Sequence, residues 1–315
     1  MAGAVNERSE RTSSVRSSAS ESPRTRPSRE VEVWGVLNVT PDSFSDGGLC
    51  MDPEAALSRA RAMLDEGADV IDVGGASSRP RGATYGEGAL AVVVDEELRR
   101  VVPVIASIVR AAPGAIVSID TTSGAVAEAA IEVGARIVND VSMGRDPSLV
   151  DACARSGAEL VLMHTRLDGR VDGATTGYRD VVSEVIDELG RAVERAVELG
   201  VRRERVWIDP GLGFAKTATQ SMTLLAATTA LVATGQRVLV GASRKSFLAV
   251  SGVDEGERVP EPTARLGASL AAATLAALAG AHAVRVHDVR DTRQAVRVAR
   301  RARAMSEVGR AEVAR

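Results

Sequence analysis

Polar side chains stand at the ends of eight short apolar runs that recur along this chain. They are Asn38, Asp72, Asp120, Asn139, His164, Asp209, Ser243 with Lys245, and His287. A single Asp or Asn in such a place can simply cap the next helix, but a polar residue at every run end is harder to explain in that way. The set of Asp120, Asn139 and Asp209 suits either a heterocycle with several N–H donors or a metal ion. These residues therefore predict a binding site.

Cationic groups occupy the last two of these run ends. The segment GASRKSF (241–247) places Arg244 and Lys245 in one turn, and RVHD (285–288) follows the last run. Side chains alternate along a strand, so Arg285 and His287 share a face, where together they suit a phosphate group. The alternative is a surface salt-bridge pair. A substrate with a donor-rich ring at one end and a phosphate at the other would match the acidic and cationic groups together.

Two long loops follow the first and second runs. They are NVTPDSFSDGG (38–48) and GGASSRPRGATYGEG (74–88), and both exceed a minimal strand-to-helix connection. We interpret the first as a mobile lid. The second offers hydroxyl groups beside Arg79, whose guanidinium can bind a phosphate or a carboxylate in bidentate fashion.

Lysine is nearly absent from the chain. Of 39 basic residues only Lys216 and Lys245 are lysines. Because lysine is a compact point charge on a flexible stem and arginine a planar fork, a lysine that persists beside so many arginines is a candidate for a specific role. We predict such a role for Lys245 and expect Lys216 to tolerate arginine with a loss of activity under about tenfold.

The elements that position these residues are strands alternating with helices. The apolar runs span 31–39, 68–75, 115–120, 135–140, 158–164, 205–209, 237–243 and 283–287, and the predicted helices include 53–66, 123–133, 178–199 and 263–279. Apolar strands separated by helices indicate a parallel sheet covered on both faces. Eight units in about 275 residues predict an α/β fold of the (β/α)8 TIM-barrel type, whose sites lie at the carboxyl ends of the strands. An open doubly wound sheet is less supported, because no G-x-G-x-x-G follows the first run.

Composition excludes several function classes. The chain is 45% hydrophobic and 26% charged, which is typical of a globular protein with a sizeable core. A formal charge of −3 leaves no basic excess, so we expect neither a nucleic acid nor a membrane as partner. The uncharged run 266–284 consists mostly of small residues, and we interpret it as a buried helix followed by a strand.

Two further features concern organisation and location. Residues 1–30 are rich in Ser, Arg and Glu, and we predict a disordered tail there, followed by one barrel domain at 31–305. Cys50 and Cys153 make neither a disulfide framework nor a zinc site. This cysteine usage fits a cytoplasmic protein.

The motifs taken together resemble those of a known family. The runs VLNVTPDSFSDGG, GADVIDVGGASSRP, SIDTT, IVNDVS, DPGLGF, GASRKSF and RVHDV occur in the order found in dihydropteroate synthases of the folate pathway, over about residues 31–300. The resemblance implies a (β/α)8 barrel and a homodimer. It also implies condensation of 6-hydroxymethyl-7,8-dihydropterin pyrophosphate with p-aminobenzoate, with Mg²⁺, to give 7,8-dihydropteroate and pyrophosphate.

The resemblance further assigns roles to individual residues. It places Asp120, Asn139, Asp209 and Lys245 on the pterin ring. It places Asn38, Arg285 and His287 on the pyrophosphate, with Asn38 and Asp46 near Mg²⁺. Phe44, Ser78, Arg79 and Pro80 would close over the reacting centre, and Phe214, Lys245 and Ser246 would frame p-aminobenzoate. The candidate catalytic residues are Lys245, Arg79, Asp120 and Phe44.

The chain departs from the family pattern at three places. The usual GGESTRP reads GGASSRP with Ala76, the usual MHMQG reads MHTRLDGR (163–170), and the usual GFGK reads GFAK. Two alternatives follow. One is a pterin-binding barrel of the methyltransferase type, which would not need the two long loops or the SRK element, and the other is a non-catalytic paralogue of the synthase.

Overall fold

The structure is a computed structural model of the chain. It describes residues 1, 30–40, 53–76, 92–166, 176–253 and 258–313, with side chains described as far as residue 305. The predicted tail, at 1–30, therefore lies almost wholly outside the described residues. Cys50 lies outside them as well, while Cys153 is a buried free thiol.

Eight parallel strands form a closed barrel in which each strand pairs with the next and the last pairs with the first. The strands are β1 (Glu32–Asn38), β2 (Val70–Gly74), β3 (Ile116–Asp120), β4 (Ile137–Asp140), β5 (Glu159–Met163), β6 (Val206–Asp209), β7 (Arg237–Val240) and β8 (Ala283–Val286). The predicted (β/α)8 barrel is confirmed. All strands run the same way, so the polar residues that end them lie at one end of the barrel.

Helices follow the strands and cover the barrel. They are α1 (Pro53–Asp65), α2 (Val94–Ala111), α3 (Gly124–Glu132), α4 (Pro147–Ser156), α5 (Val181–Glu198), α6 (Ala218–Ala226), α7 (Thr228–Val232), α8 (Ser246–Ser251), α9 (Leu266–Leu278) and α10 (Val289–Val313). The run 266–284 forms α9 and leads into β8, as predicted. In the described ranges no helix combines the length and apolarity that crossing a membrane requires.

Local chemistry explains where individual helices begin. The predicted helix 178–199 starts only at Val181 because the Asp180 side chain accepts hydrogen bonds from the backbone N–H groups of Val182 and Ser183. A capping box formed by Thr217 and Gln220 begins α6. This cap fixes the exit of the loop that follows β6.

The barrel interior is apolar at its amino-terminal end. An inner cluster holds Trp34, Val70, Ile137, Val161, Trp207, Leu239 and Ala283. The rings of Trp34 and Trp207 meet edge to face with centroids 5.3 Å apart, and their indole N–H groups donate to Glu32 and Glu159. Because side chains alternate along a strand, the residues two positions further on also point inward. Several of those residues are polar, so the site lies next to this inner cluster, toward the carboxyl ends of the strands.

Candidate active site

An arginine bridges two carboxylates across the barrel interior. Arg285 on β8 donates from Nε to Asp72 Oδ2 at 2.6 Å and from Nη2 to Asp120 Oδ2 at 2.7 Å. Asn139 Nδ2 donates to the same Asp72 oxygen at 3.3 Å. None of these pairs belongs to neighbouring strands, so the contacts span the lumen. Asp72 Oδ1 is buried and has no partner in the described part of the chain, which leaves an acceptor available to a ligand.

Two glycines leave space between these polar groups. A Cβ atom on Gly74 would lie 3.4 Å from Asn38 Oδ1 and 3.7 Å from Asp120 Cβ. A Cβ atom on Gly241 would lie 3.6 Å from Asp209 Oδ2 and 3.8 Å from Arg285 Cβ. A side chain at either glycine would therefore occupy the space between these polar groups.

Lys245 is presented by a strained turn after β7. The preceding Arg244 has φ of 60°, a left-handed conformation that is unfavourable for a residue with a side chain. Its guanidinium is paired with Asp288, and its backbone N–H donates to Ser269 Oγ at 2.9 Å. Lys245 then donates from Nζ to the Leu212 carbonyl at 2.6 Å and lies 4.8 Å from the centre of the Phe214 ring. The ammonium is therefore held at the junction of two loops.

His287 is oriented by Ser243. Its backbone N–H donates to Ser243 Oγ at 3.2 Å, and Ser243 Oγ lies 3.0 Å from His287 Nδ1. The hydroxyl proton is thus free to be donated to Nδ1, which puts the ring proton on Nε2. Burial, with the positive charges of Arg285 and Arg244, lowers the pKa of His287 to about 4. The imidazole is therefore neutral and offers its Nε2–H as a donor, and it is not a second cation beside Arg285.

Burial sets the electrostatics of the acidic half. It raises the pKa of Asp120 to about 7, opposed by Arg285 and reinforced by the nearby Asp72. Burial also raises the pKa of Asp209, although Lys245 and the Gly211 N–H counteract it. The pKa of Lys245 falls to about 8 through burial, opposed by Asp209. Near neutral pH the site therefore holds an acid and an amine that both titrate close to the working pH.

The structure brings six of the predicted site residues to one end of the barrel. They are Asn38, Asp120, Asn139, Asp209, Arg285 and His287. Phe214 and Lys245 touch each other there, and Ser246 begins α8, buried at 9% exposure. The remaining predicted residues lie outside the described residues: Phe44, Asp46, Ser78, Arg79 and Pro80.

Comparisons with known proteins agree with this geometry. The pterin binding enzyme family model matches residues 34–287. The dihydropteroate synthase of Mycobacterium leprae is 48% identical over 272 residues, which cover 85% of this chain and 92% of that protein. The chain belongs to the dihydropteroate synthase family.

Solved structures of dihydropteroate synthases show the same fold. The Xanthomonas albilineans enzyme with 4-aminobenzoic acid superimposes with a TM-score of 0.77 at 40% identity, covering 87% of this chain and 94% of that one. The same enzyme in complex with 7,8-dihydropteroate gives a TM-score of 0.74 at 38% identity, with 87% and 94% of the two chains covered. The sequence resemblance to dihydropteroate synthases is thereby confirmed.

Two departures from the synthase pattern are visible in the structure. Ala215, where the pattern has glycine, is buried with φ of 50°, a conformation that costs a non-glycine residue about 1–2 kcal/mol. Thr165, in the altered segment after β5, is 4% exposed, and its hydroxyl has no partner among the described residues. Both positions lie in the loops that follow β5 and β6, on one side of the mouth, whereas the third departure, Ala76, follows β2.

Sequence reasoning missed several residues of the synthase site. Asp72 was noted at a strand end but assigned no role, although it holds Arg285 and Asn139. Asp288, which orients Arg244, is the fourth residue of the RVHD motif and gave no signal of its own. Asp72 could have been suspected because an ionisable residue within an apolar strand needs a partner.

Proposed function

We propose that the chain is a dihydropteroate synthase that joins 6-hydroxymethyl-7,8-dihydropterin pyrophosphate to p-aminobenzoate. The observation that carries this is the set of buried acceptors and donors that the structure brings together at one end of the barrel. Asp120, Asn139 and Asp209 offer oxygens to a donor-rich ring, and Arg285, which bridges Asp72 and Asp120, would donate with His287 to the pyrophosphate. The relatives with this name and the structure holding 7,8-dihydropteroate support the same reaction.

The reaction requires the protein to stabilise separated charge. A C–N bond forms between the amine of p-aminobenzoate and the exocyclic methylene of the pterin, the C–O bond to pyrophosphate breaks with its electrons, and the amine loses a proton. Positive charge develops on the pterin and negative charge on the leaving group. Carboxylates under the ring and donors around the pyrophosphate stabilise this separation in a buried site, so no covalent nucleophile is needed.

Magnesium is part of the proposal. Within the described residues no group of three His, Cys, Asp or Glu side chains could hold a metal ion. The side-chain oxygen of Asn38 lies beside Gly74 at the barrel mouth, and Mg²⁺ commonly takes one or two protein oxygens together with water and substrate phosphate. We propose Asn38 and Asp46 as its protein ligands. Bound there, the ion would neutralise charge on the pyrophosphate.

One assay tests the function and separates the alternatives. The purified chain is given dihydropterin pyrophosphate, p-aminobenzoate and Mg²⁺, and both dihydropteroate and pyrophosphate are measured. Equal formation of the two products is expected. Binding of the pterin without product would identify a non-catalytic paralogue, and methyl transfer from a methylated pterin in place of condensation would identify the methyltransferase class.

The pH dependence of the reaction follows from the two shifted groups. Asp120 must be ionised to accept from the ring, so kcat/KM for the pterin substrate will fall below about pH 7. Lys245 loses its charge above about pH 8, so kcat/KM will also fall on the alkaline side. Initial rates across this range should give a bell whose apparent pKa values belong to the coupled cluster. A profile that is flat on both sides of neutrality would contradict the assignment.

A homodimer is proposed through α9. Leu275 and Leu278 on this helix are 52% and 42% exposed, whereas Ala272 and Ala276 on its other side are buried. A second copy of the chain would cover the exposed leucines. Light scattering at micromolar concentration should give twice the chain mass, and Leu275→Glu should reduce it to the monomer. A monomer mass for the unaltered chain would refute the dimer.

We propose that the protein is cytoplasmic. A cytoplasmic protein fits the buried free thiol of Cys153, whose pKa is raised to about 12 by burial.

A further inference from the structure

A series of hydrogen-bonded polar side chains extends from the site to the outer side of β5. Lys216 lies 2% exposed with Nζ 2.9 Å from His164 Nδ1. His164 is fully buried, and its Nε2 lies 2.9 Å from Glu188 on α5. Arg166 is the last member of this series and donates to Glu188 and, at 2.9 Å, to Glu184. His164 was noted among the polar strand ends but was given no role, and the other residues were not predicted to form part of the site.

Lys216 is tied to the turn that carries half of the site. Its Nζ donates to the Phe214 carbonyl at 2.8 Å and lies 3.4 Å from the His164 carbonyl. The turn runs close against the end of β5, because a Cβ on Gly211 would lie only 1.9 Å from the His164 carbonyl oxygen. Lys216 therefore links the turn to His164, the residue that follows β5.

The same turn supplies three features of the site. The Gly211 N–H donates to Asp209 at 2.7 Å, the Leu212 carbonyl accepts from Lys245 at 2.6 Å, and the Phe214 ring lies beneath the Lys245 ammonium. A shift of this turn would change the partners of Lys245 and would move the Phe214 ring.

We propose that Lys216 is a positioning residue of the synthase reaction, acting through the 211–216 turn to place the Lys245 ammonium, with His164 and Glu188 as its anchor. The proposal rests on the proposed function. It assigns a role to the second of the two lysines, for which arginine was expected to be a tolerable substitute. The burial of Lys216 argues against that expectation, because arginine is bulkier than lysine and the Lys216 site is closed to solvent.

The hydrogen-bonding roles in the anchor follow from the charge states. Burial, with the charge of Lys216, lowers the pKa of His164 to about 4. The ring is therefore neutral and carries one proton. Burial raises the pKa of Glu188, but hydrogen bonds from His164 and Arg166 outweigh it and bring the value to about 2. The carboxylate accepts from Nε2–H, so Nδ1 is left to accept from Lys216.

Arg166 extends the anchor to the altered segment after β5. Its guanidinium stacks 3.8 Å from the centre of the Tyr178 ring, and it pairs with both Glu184 and Glu188 of α5. Arg166 belongs to the segment MHTRLDGR (163–170), in which the chain departs from the family pattern, so this stack links Arg166 of that segment to Tyr178, which lies before α5. The sequence that replaces MHMQG therefore contributes Arg166 and its contacts with Tyr178 and α5.

The test compares Lys216→Met with Arg293→Met. Methionine keeps the length and apolar packing of lysine but removes its donors. Arg293 is also buried, at 7%, and donates to the Gly67 carbonyl at the opposite end of the barrel. Both variants should lose thermal stability, but only Lys216→Met should lower kcat/KM for p-aminobenzoate, by about tenfold or more. Equal activity of the two variants would overturn the proposal.

A double-mutant cycle separates positioning from general structural damage. If Lys216 acts through Lys245, then Lys216→Met in a Lys245→Ala background should lower kcat/KM by less than about threefold, because the interaction it serves is already gone. Additive losses would overturn the positioning role. Absence of turnover in the unaltered chain would instead refute the proposed function itself.

Glu188→Gln provides a second route if Lys216→Met fails to fold. Glu188 has a side chain that is 19% exposed, and glutamine can still accept from His164 but loses its charge toward Arg166. We expect a loss in kcat/KM for p-aminobenzoate of about threefold to tenfold, in the same direction as Lys216→Met. Unchanged kinetics would show that the anchor has no influence on the site.

Discussion

Replacement of Lys245 by arginine or by alanine will lower kcat/KM at least ~100-fold, which corresponds to about 2.7 kcal/mol of transition-state stabilisation. Lys245 reaches the Leu212 carbonyl at 2.6 Å while its charge stays near Asp209 and Phe214. Arginine carries its charge on a larger planar fork and cannot reproduce a short contact to one carbonyl. Steady-state kinetics with both substrates varied will measure the loss.

The fold should survive these substitutions, because Lys245 follows β7 at the rim and is only partly buried. Melting temperatures of both variants are therefore expected within a few degrees of the unaltered chain. Arg155→Met, which removes a surface cation 57% exposed on α4, is the matched control and should leave kcat/KM unchanged. Near-full activity of Lys245→Arg would show that charge alone suffices.

The fold was predictable because its signal is spread over the whole chain. Each apolar run is short and β-branched, each is followed by a helical segment, and eight repeats leave few topologies open. Element ends were less predictable, since they depend on single contacts. The cap by Asp180 moves the start of α5 to Val181, and the 3₁₀ turn at Pro262–Ala264 moves the start of α9 to Leu266.

The position of the candidate site residues at one rim was predictable, but their contacts with one another were not. Strand ends identify Asp120, Asn139 and Asp209, because all parallel strands end at the same rim. The bridge from Arg285 to Asp72 was not predictable, because it joins strands that are neighbours in neither sequence nor sheet and exists only once the barrel closes. Likewise, no local signal distinguishes a buried Lys216 from an exposed one.

Replacement of Arg285 by methionine will destabilise the fold and lower activity together. Arg285 compensates two carboxylates, Asp72 and Asp120, that are 0% and 7% exposed. Removing one partner of a buried ion pair costs about 3–5 kcal/mol, because an uncompensated charge remains. We expect this loss in the free energy of unfolding from denaturant titration, and a fall in kcat/KM of about 10²–10³-fold through the lost stabilisation of developing charge.

The pH dependence of Arg285→Met identifies the cause of the destabilisation. Without the guanidinium, the folded-state pKa of Asp120 will rise further above its unfolded value, so the folded state binds its proton more tightly than the unfolded state does. Stability is then retained at acid pH and lost as the pH rises. The variant should therefore lie closest to the unaltered chain near about pH 5 and furthest from it near about pH 8.

A second substitution separates stability from activity at this bridge. Asp72→Asn removes one of the two carboxylates left without a cation, and its amide oxygen can still accept from Asn139. In the Arg285→Met background it should restore about 1–2 kcal/mol of the free energy of unfolding while restoring none of the activity. Alone, beside an intact Arg285, the same change should destabilise the fold, because the guanidinium then loses a charged partner. If Asp72→Asn has the same effect on stability in both backgrounds, the bridge is not what couples these residues, and Arg285 is held by Asp120 alone.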